Sequence, residues 1–403
     1  MYPTLTDFFR DVFGWNIPLP IQTYGFFVAL AFLTGVYFIA LELKRKEKEG
    51  LLLPIIKKEL IGKPATITAL LLSALGGFVI GFKLIEAVFH YMDFVNNPQD
   101  FILSLRGNFI GGIVIAAIST YLTWKDKDKL KLDKPIWQTK TIHPHEMSGN
   151  LLIIAAVFGL LGAKLFHNLE NIDDLIQDPI GALFSFSGLS YFGGLVVGIL
   201  TVLWYGNKNG IKPIYLLDTA APGLALAYGV GRIGCQVSGD GCWGVPNLNP
   251  KPDWLSFLPD WMWAYEYPNN VINAGKVIEN CTSSHCHVLD TPVFPTPFYE
   301  TSMMVIIFII LWSLRKHIKI PGILFSIYFT LAGFERFFIE KIRINNEYNI
   351  FGYGITQAEI ISTILIIIGI IGIFFFYKKQ DLVNKWLGLD KNPTDKTKTK
   401  QAK

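Results

Sequence analysis

Residues Gly231 to Gly244 read Gly-Arg-Ile-Gly-Cys-Gln-Val-Ser-Gly-Asp-Gly-Cys-Trp-Gly, an arginine and a carboxylate on a segment with five glycines. They follow an apolar run from Pro213 to Val230, so Arg232 and Asp240 are expected where a membrane helix ends. An ionisable residue at membrane depth is costly and marks function. Glycine lets backbone approach a ligand closely. The chemistry these residues suit is the handling of a lipid's polar head. A second group lies in Glu335-Arg336-Phe337-Phe338-Ile339-Glu340-Lys341-Ile342-Arg343. Arg336 and Glu340 are four apart and share a helix face, and Arg343 falls two turns beyond Arg336 on that face. Guanidinium forks match phosphate oxygens bidentately and stay charged; a snorkelling pair at a helix end is the plainer alternative. Tyr24 opens one expected span, and Tyr299 and Glu300 open another at the same level. A tyrosine there also fits an interfacial aromatic belt. Asp218, Lys164 and His167 are further polar residues in apolar runs.

The elements that must position these groups are membrane helices. Of the 403 residues, 51% are hydrophobic and 17% charged, and the net charge of +4 is unevenly spread. Several apolar runs reach the roughly 18–20 residues needed to cross a hydrocarbon core. The fold class expected is all-α, a polytopic helical membrane protein. About nine spans are read, at 21–42, 65–90, 107–124, 149–168, 190–206, 213–231, 298–314, 321–340 and 355–377. Lysines and arginines gather after spans one, three, five, seven and nine, while 169–189 has none and holds Glu170, Asp173, Asp174 and Asp178. The positive-inside rule puts the N-terminus outside, the C-terminus in the cytoplasm and Arg232 toward the outer side. No cleavable signal peptide is read at the start. Residues 1–20 form a separate interfacial segment with Phe8, Phe9, Val12, Phe13 and Trp15, or else a loose terminus. Residues 21–377 are the membrane domain, and 378–403 a lysine-rich tail expected to be disordered near anionic lipid heads. Within the domain, 76–124 resembles 158–205 at an offset of 81 to 82, with Gly81-Phe82-Lys83-Leu84 matching Gly162-Ala163-Lys164-Leu165.

Residues 245–297 form an outer insert with Trp254, Trp261, Trp263, Tyr265 and Tyr267, aromatics that suit headgroup level. Cys281 and Cys286 favour a disulfide outside the membrane, over zinc held with His285 and His287, whose spacing is too crowded. Cys235 and Cys242 pair, stay free or simply pack. His143-Pro144-His145-Glu146 lies on the opposite side from Arg232, and no metal site is assigned.

The segment from Gly231 to Gly244 resembles the signature of the prolipoprotein diacylglyceryl transferase family. Shorter motifs recur in that family's order. Gln22-Thr23-Tyr24-Gly25 resembles Arg-Trp-Tyr-Gly, and Gly162-Ala163-Lys164-Leu165 resembles Gly-Ala-Arg-Leu. Leu189-Ser190-Tyr191-Phe192-Gly193-Gly194 is similar to Met-Ser-Phe-His-Gly-Gly, and Pro295-Thr296-Pro297-Phe298-Tyr299-Glu300 to Pro-Ser-Gln-Leu-Tyr-Glu. Arg336-Phe337-Phe338-Ile339-Glu340 resembles Arg-Phe-x-x-Glu. The resemblance covers roughly 18–42 and 148–377, leaving the first repeat copy as an apparent extra. Four departures stand out. Phe192 and Phe294 occupy places where the family has histidine, Cys235 one where it has asparagine, and Asp240 one where it has glutamate.

The resemblance implies a bacterial inner-membrane enzyme, its active site toward the periplasm, that acts on phosphatidylglycerol and on prolipoprotein signal peptides. The diacylglyceryl group passes to the lipobox cysteine as a thioether and glycerol 1-phosphate leaves. Carried onto this chain, the catalytic candidates are Arg232, Asp240, Arg336, Glu340 and Tyr24. The substrate-binding candidates are Gly231, Gly234, Gly239, Gly244, Gly193, Gly194, Tyr299, Glu300 and Arg343, with Arg232. The glycines are expected to admit backbone amides to the phosphate. No metal or organic cofactor is expected, because phosphate is already a workable leaving group, and no nucleic acid is expected as partner. Two other classes are weighed. A catalytically inactive lipid- or lipoprotein-binding relative would follow from the absent histidines. A small-solute transporter would follow from repeats and buried charges, although here the charges gather near the outer face.

Overall fold

The computed structural model describes residues 1–387 except 20, 97, 185–187, 189, 282–284, 346 and 351–352. Most of the tail, and Leu189 of the motif before Gly193, lie outside the described residues. Helix α1 (Leu5–Phe13) begins at a capping box between Thr4 and Asp7 and stops at Gly14, whose φ is 73°. After α2 (Thr23–Lys48) come two helical hairpins. The first is α3 (Ile67–Phe89), α4 (Tyr91–Asn96), α5 (Pro98–Leu103) and α6 (Phe109–Lys129). The second is α7 (Ser148–Glu170), α8 (Ile172–Gln177), α9 (Pro179–Phe184) and α10 (Tyr191–Lys208). Next follow α11 (Pro213–Ser238), the insert, α12 (Thr296–Leu314), α13 (Ile323–Glu340), α14 (Gln357–Lys378) and α15 (Gln380–Leu387).

Each of the nine expected spans falls on a helix: α2, α3, α6, α7, α10, α11, α12, α13 and α14. Among the described residues, five segments are long and apolar enough to cross a membrane, namely Thr23–Lys48, Ile67–Phe89, Pro144–Glu170, Thr296–Leu314 and Gln357–Lys378. Leu71, Ile80, Leu161, Ile371 and Phe374 stand exposed on such helices, as side chains turned to lipid must. The chain is thus a mostly helical, multi-pass membrane protein. The all-α expectation needs one correction. Among the described residues, three two-stranded antiparallel ribbons are present: β1 (Ile55–Ile61) with β2 (Ile136–Ile142), β3 (Lys276–Val277) with β4 (His287–Val288), and β5 (Glu347–Ile350) with β6 (Tyr353–Thr356). Apart from the end of β6, which overlaps the span read at 355–377, they lie between the expected spans, where the apolar-run signal is silent and strand pairing is decided by chain segments that meet in space.

Small residues let the helices approach. At the crossing of α2 and α11, Gly35 faces Ala227, and a Cβ at Gly223 would stand 3.0 Å from the Gly35 carbonyl oxygen. The two hairpins share one packing scheme. A Cβ at Gly81 would meet Gly111 O at 2.5 Å and Ile115 Cβ at 2.6 Å. A Cβ at Gly162 would meet Gly193 O at 2.6 Å and Val197 Cβ at 2.5 Å. These contacts are 81 or 82 positions apart, the offset read from the sequence.

Charge fastens the end of the bundle away from Arg232. Asp218, buried in α11, accepts hydrogen bonds from the backbone N–H of Gly322 at 2.7 Å and Phe325 at 2.9 Å. It thereby satisfies free amides at the start of α13, where a negative charge is favoured. Glu42, also buried, pairs with Arg45 in α2 and with Arg315 after α12, the latter at 3.2 Å. Gly162→Leu should therefore overpack the α7–α10 contact and lower stability by about 1–3 kcal/mol. Gly149→Ala, where an added Cβ meets nothing within 4 Å, should leave the thermal midpoint in detergent unchanged or slightly raised. Equal midpoints for the two variants would refute this account of the hairpin.

Candidate active site

Helix α11 does not end at Gly231 as expected but runs on to Ser238 and closes at Gly239, with φ 66°. Arg232 is therefore inside the helix, one turn after Tyr228. Its Nε and Nη2 donate to the Tyr228 hydroxyl at 3.1 and 3.0 Å, and its Nε pairs closely with Glu300. Glu300 is 0% exposed and stands just past the first turn of α12. Its other oxygen meets Arg343 Nη1 at 3.1 Å and Arg336 Nη1 at 3.8 Å. One carboxylate thus gathers three guanidinium groups from α11, α13 and the segment after α13. The Tyr228 hydroxyl completes the set, 3.2 Å from Glu300 Oε2.

Arg336 also pairs with Glu340 at 2.7 Å, the same-face contact expected from their spacing. Asn345 donates to Glu340 Oε1 at 2.6 Å. Arg343 is not on α13, which ends at Glu340. It is carried inward because Val245 N donates to Ile342 O at 2.8 Å and Gly244 bridges Arg343. Gly244 permits this approach, since a Cβ there would stand 2.3 Å from Ile342 O. Arg336 Nη1 and Arg343 Nε are buried donors without a hydrogen-bond partner. Two unsatisfied guanidinium N–H groups beside one carboxylate leave capacity for an anion. Glu335, buried in the same charged neighbourhood, has an oxygen equally unsatisfied.

Asp240 lies just beyond the helix end, accepts from Cys242 N at 3.2 Å, and shares a cluster with Cys235 and Cys242. Arg232 Nη1 is 3.8 Å from Cys235 Sγ, so this cluster adjoins the arginines. Tyr24 in the first turn of α2 is within electrostatic reach of Arg232, Cys235, Asp240 and Cys242. All five catalytic candidates therefore surround one region.

The glycines take other places. Gly231 and Gly234 lie inside α11, where their amides belong to the helix's own bonding rather than to an anion, contrary to the role expected of them. Gly234 admits α2, for a Cβ would stand 2.8 Å from Phe27 Cβ; Gly239 abuts Asn270. Gly193 and Gly194 serve the α7–α10 contact, against Phe166 and Gly159. Tyr299 donates to Met262 O at 2.8 Å and so ties α12 to the insert. In the insert, burial pushes the Tyr267 phenol well above its ordinary range, and its hydroxyl donates to Gln236 Oε1 at 2.7 Å. Cys281 and Cys286 are joined in a disulfide, which removes both from the alternative zinc set. Phe294 packs on Trp263.

Sequence reasoning missed Tyr228 and Glu335. Both sit one helical turn or one residue from a singled-out arginine, and that adjacency was the available signal. It also did not foresee Glu300 as the common partner of three arginines, because they are remote in the chain.

Fold and site together define a mostly helical, multi-pass membrane protein in which three arginines gather on one buried carboxylate. Comparison with known proteins gives the family. The model of the prolipoprotein diacylglyceryl transferase family matches residues 131–375, more than half of the chain and beginning after the first hairpin. The protein belongs to that family. Similar relatives include phosphatidylglycerol–prolipoprotein diacylglyceryl transferases from three bacteria. That of Leptospira interrogans is 27% identical over 291 residues, covering 60% of this chain and 81% of the relative. That of Dehalococcoides mccartyi is 28% identical over 229 residues, covering 57% and 75%. That of Oceanobacillus iheyensis is 24% identical over 281 residues, covering 68% and 86%.

If Glu300 is the common counter-charge, Glu300→Ala should destabilise the protein by about 3–5 kcal/mol, because buried guanidiniums lose their partner. Tyr228→Phe removes the hydroxyl's three hydrogen bonds, one donated to Glu300 and two accepted from Arg232, and should cost about 1–3 kcal/mol. Thermal unfolding of both variants in detergent checks the order, and a Glu300→Ala midpoint matching wild type would refute it.

Proposed function

We propose that this protein transfers the diacylglyceryl group of phosphatidylglycerol to the lipobox cysteine of prolipoproteins, forming a thioether and releasing glycerol 1-phosphate. The observation that carries the reading is the cluster of Arg232, Arg336 and Arg343 around Glu300, with buried donors left open. The reaction is an alkyl transfer. The thiolate sulfur attacks the glycerol carbon that bears the phosphate, the carbon–oxygen bond breaks, and the electron pair leaves on glycerol 1-phosphate. Negative charge grows on that phosphate, and preorganised donors in a water-poor site stabilise such charge strongly.

Arg232 and Arg336 take the phosphate in this reading, with Arg343 beside them. Glu300 holds the three guanidiniums in place and balances part of their charge before substrate arrives. Glu340 orients Arg336. Tyr24 faces the headgroup, and Asp240 stands beside the place where the acceptor thiol must enter. A nearby guanidinium also favours the thiolate form of that cysteine.

The chain crosses the membrane with α2, α3, α6, α7, α10, α11, α12, α13 and α14, the N-terminus outside and the C-terminus in the cytoplasm. Residues 76–124 are an added copy of 158–205. The insert and the arginine pocket face the periplasm of a bacterial inner membrane. The lysine distribution supports this orientation. Both substrates are held in the bilayer, so they enter sideways near α2, α11 and α13.

Purified protein incubated with phosphatidylglycerol and a lipobox peptide should yield thioether product, read by mass. Arg232→Ala and Arg336→Ala should each lower the rate by about 10²–10³. Near-normal turnover in either variant would remove that arginine from the mechanism. No product from folded wild type, with a known transferase active in parallel, would favour the lipid-binding relative that lacks the family's histidines. For orientation, Asp178→Cys in intact cells should react with a membrane-impermeant maleimide and Lys127→Cys should not; the reverse pattern would invert the topology.

A further inference from the structure

We propose that Cys235, Asp240 and Cys242 form a site for a thiophilic divalent cation of the zinc class, whose open position binds the thiolate of the acceptor cysteine. The second half rests on the transferase reading; the first half stands on geometry alone. One ligand atom from each residue lies within 4.8 Å of the others. Tetrahedral zinc with sulfur and oxygen ligands sets them about 3.3–3.8 Å apart, so small side-chain rotations close the cluster. The backbone is built for it. Cys235 is on the last turn of α11, Gly239 reverses the chain at φ 66°, and Gly241 at φ 89° brings Cys242 back toward the helix. The Asp240 carboxylate is held by Cys242 N at 3.2 Å. The carbonyl end of α11 adds partial negative charge.

Charge supports occupancy. Two thiolates and a carboxylate carry three negative charges, most of which a divalent cation offsets, while Arg232, shared with Glu300, lies 3.8 Å from Cys235 Sγ. Cys235 is buried, whereas Asp240 and Cys242 are half-buried, so the cluster is open on one side. Three protein ligands with an open fourth position is the pattern of a catalytic rather than a structural zinc. This departs from the expectation that no metal takes part, and it answers a chemical need. The positions of the two family histidines hold Phe192 and Phe294, while a cysteine that binds such a cation loses its proton outright.

The step balances. The acceptor thiol binds the cation through sulfur and its proton passes to solvent. The bound sulfur then forms the carbon–sulfur bond as the carbon–oxygen bond breaks, and the electron pair leaves with glycerol 1-phosphate. The thioether is a weaker ligand than the thiolate and departs. Arg232 touches both the cysteine cluster and the phosphate pocket, which places nucleophile and leaving group side by side.

The test uses full-length protein in detergent, reduced anaerobically, stripped with a chelator and titrated with cobalt(II). One cobalt per chain, with thiolate-to-cobalt charge-transfer absorption, is expected. Cys235→Ser and Cys242→Ser should lose that band while keeping the wild-type circular dichroism, and Asp240→Asn should weaken binding. Stripping should lower thioether formation by about a hundredfold or more, and zinc should restore it. The proposal is overturned if the reduced protein, with both thiols reacting freely with maleimide, takes up no cobalt, or if the band survives both serine variants. Full transfer by metal-free protein would overturn the catalytic half and leave the transferase reading intact. Cobalt binding without transfer by the zinc-loaded enzyme would instead defeat the transferase reading and leave the cation site standing.

Discussion

A buried carboxylate among arginines is the constraint on which the site depends. Glu300 has no solvent exposure, and an isolated charge in such a place is prohibitively costly. Its partners come from two stretches far apart in the chain: Arg232 in α11, and Arg336 in α13 with Arg343 just beyond it. Any arrangement of these helices that separated them would strand at least one buried charge. The pairing therefore specifies how α11, α12 and α13 meet. It also leaves positive charge in excess, three guanidiniums around Glu300 with Glu340 held on the far side of Arg336. That surplus is the electrostatic feature on which the proposed phosphate contact rests.

The glycines work by clearance more than by donating to a ligand. Gly234 brings α2 against α11 and so carries Tyr24 to the Arg232 region. Gly244 lets the segment after α11 lie on the one after α13 and so turns Arg343 inward. At the opposite end Asp218 fastens the start of α13 to α11, and Glu42 ties α2 to the residue after α12. The pocket is thus clamped from both ends by buried acid groups, while small residues govern how near the helices stand. With the apolar effect largely absent between helices in lipid, such packing and polar contacts carry much of the specificity.

Several features were legible in the residue order. Long apolar runs announce membrane helices because a bilayer demands about twenty apolar residues per crossing. The four-residue spacing of Arg336 and Glu340 announced their contact, since helix geometry alone makes them neighbours. The matching glycine motifs at Gly81 and Gly162 were visible because each hairpin needs a residue without a side chain at its crossing. Other features were not. The ribbon of β1 and β2 joins segments on either side of the first hairpin, and nothing local in Ile55–Ile61 names Ile136–Ile142 as its partner. The reach of α11 to Ser238 was hidden because Gly231 and Gly234 look like helix ends in isolation.

The residue order by itself determined the membrane class, the helix count to be expected, the family resemblance and which arginines to single out. All of these depend on local composition, periodicity or motif. Only the tertiary structure decided that Glu300 is the shared counter-charge, that Arg343 turns inward, and that Cys235, Asp240 and Cys242 share one corner beside Arg232. These are relations between side chains brought together across helices. Their energies depend on burial and on distances through space, and neither is a property of a residue read alone.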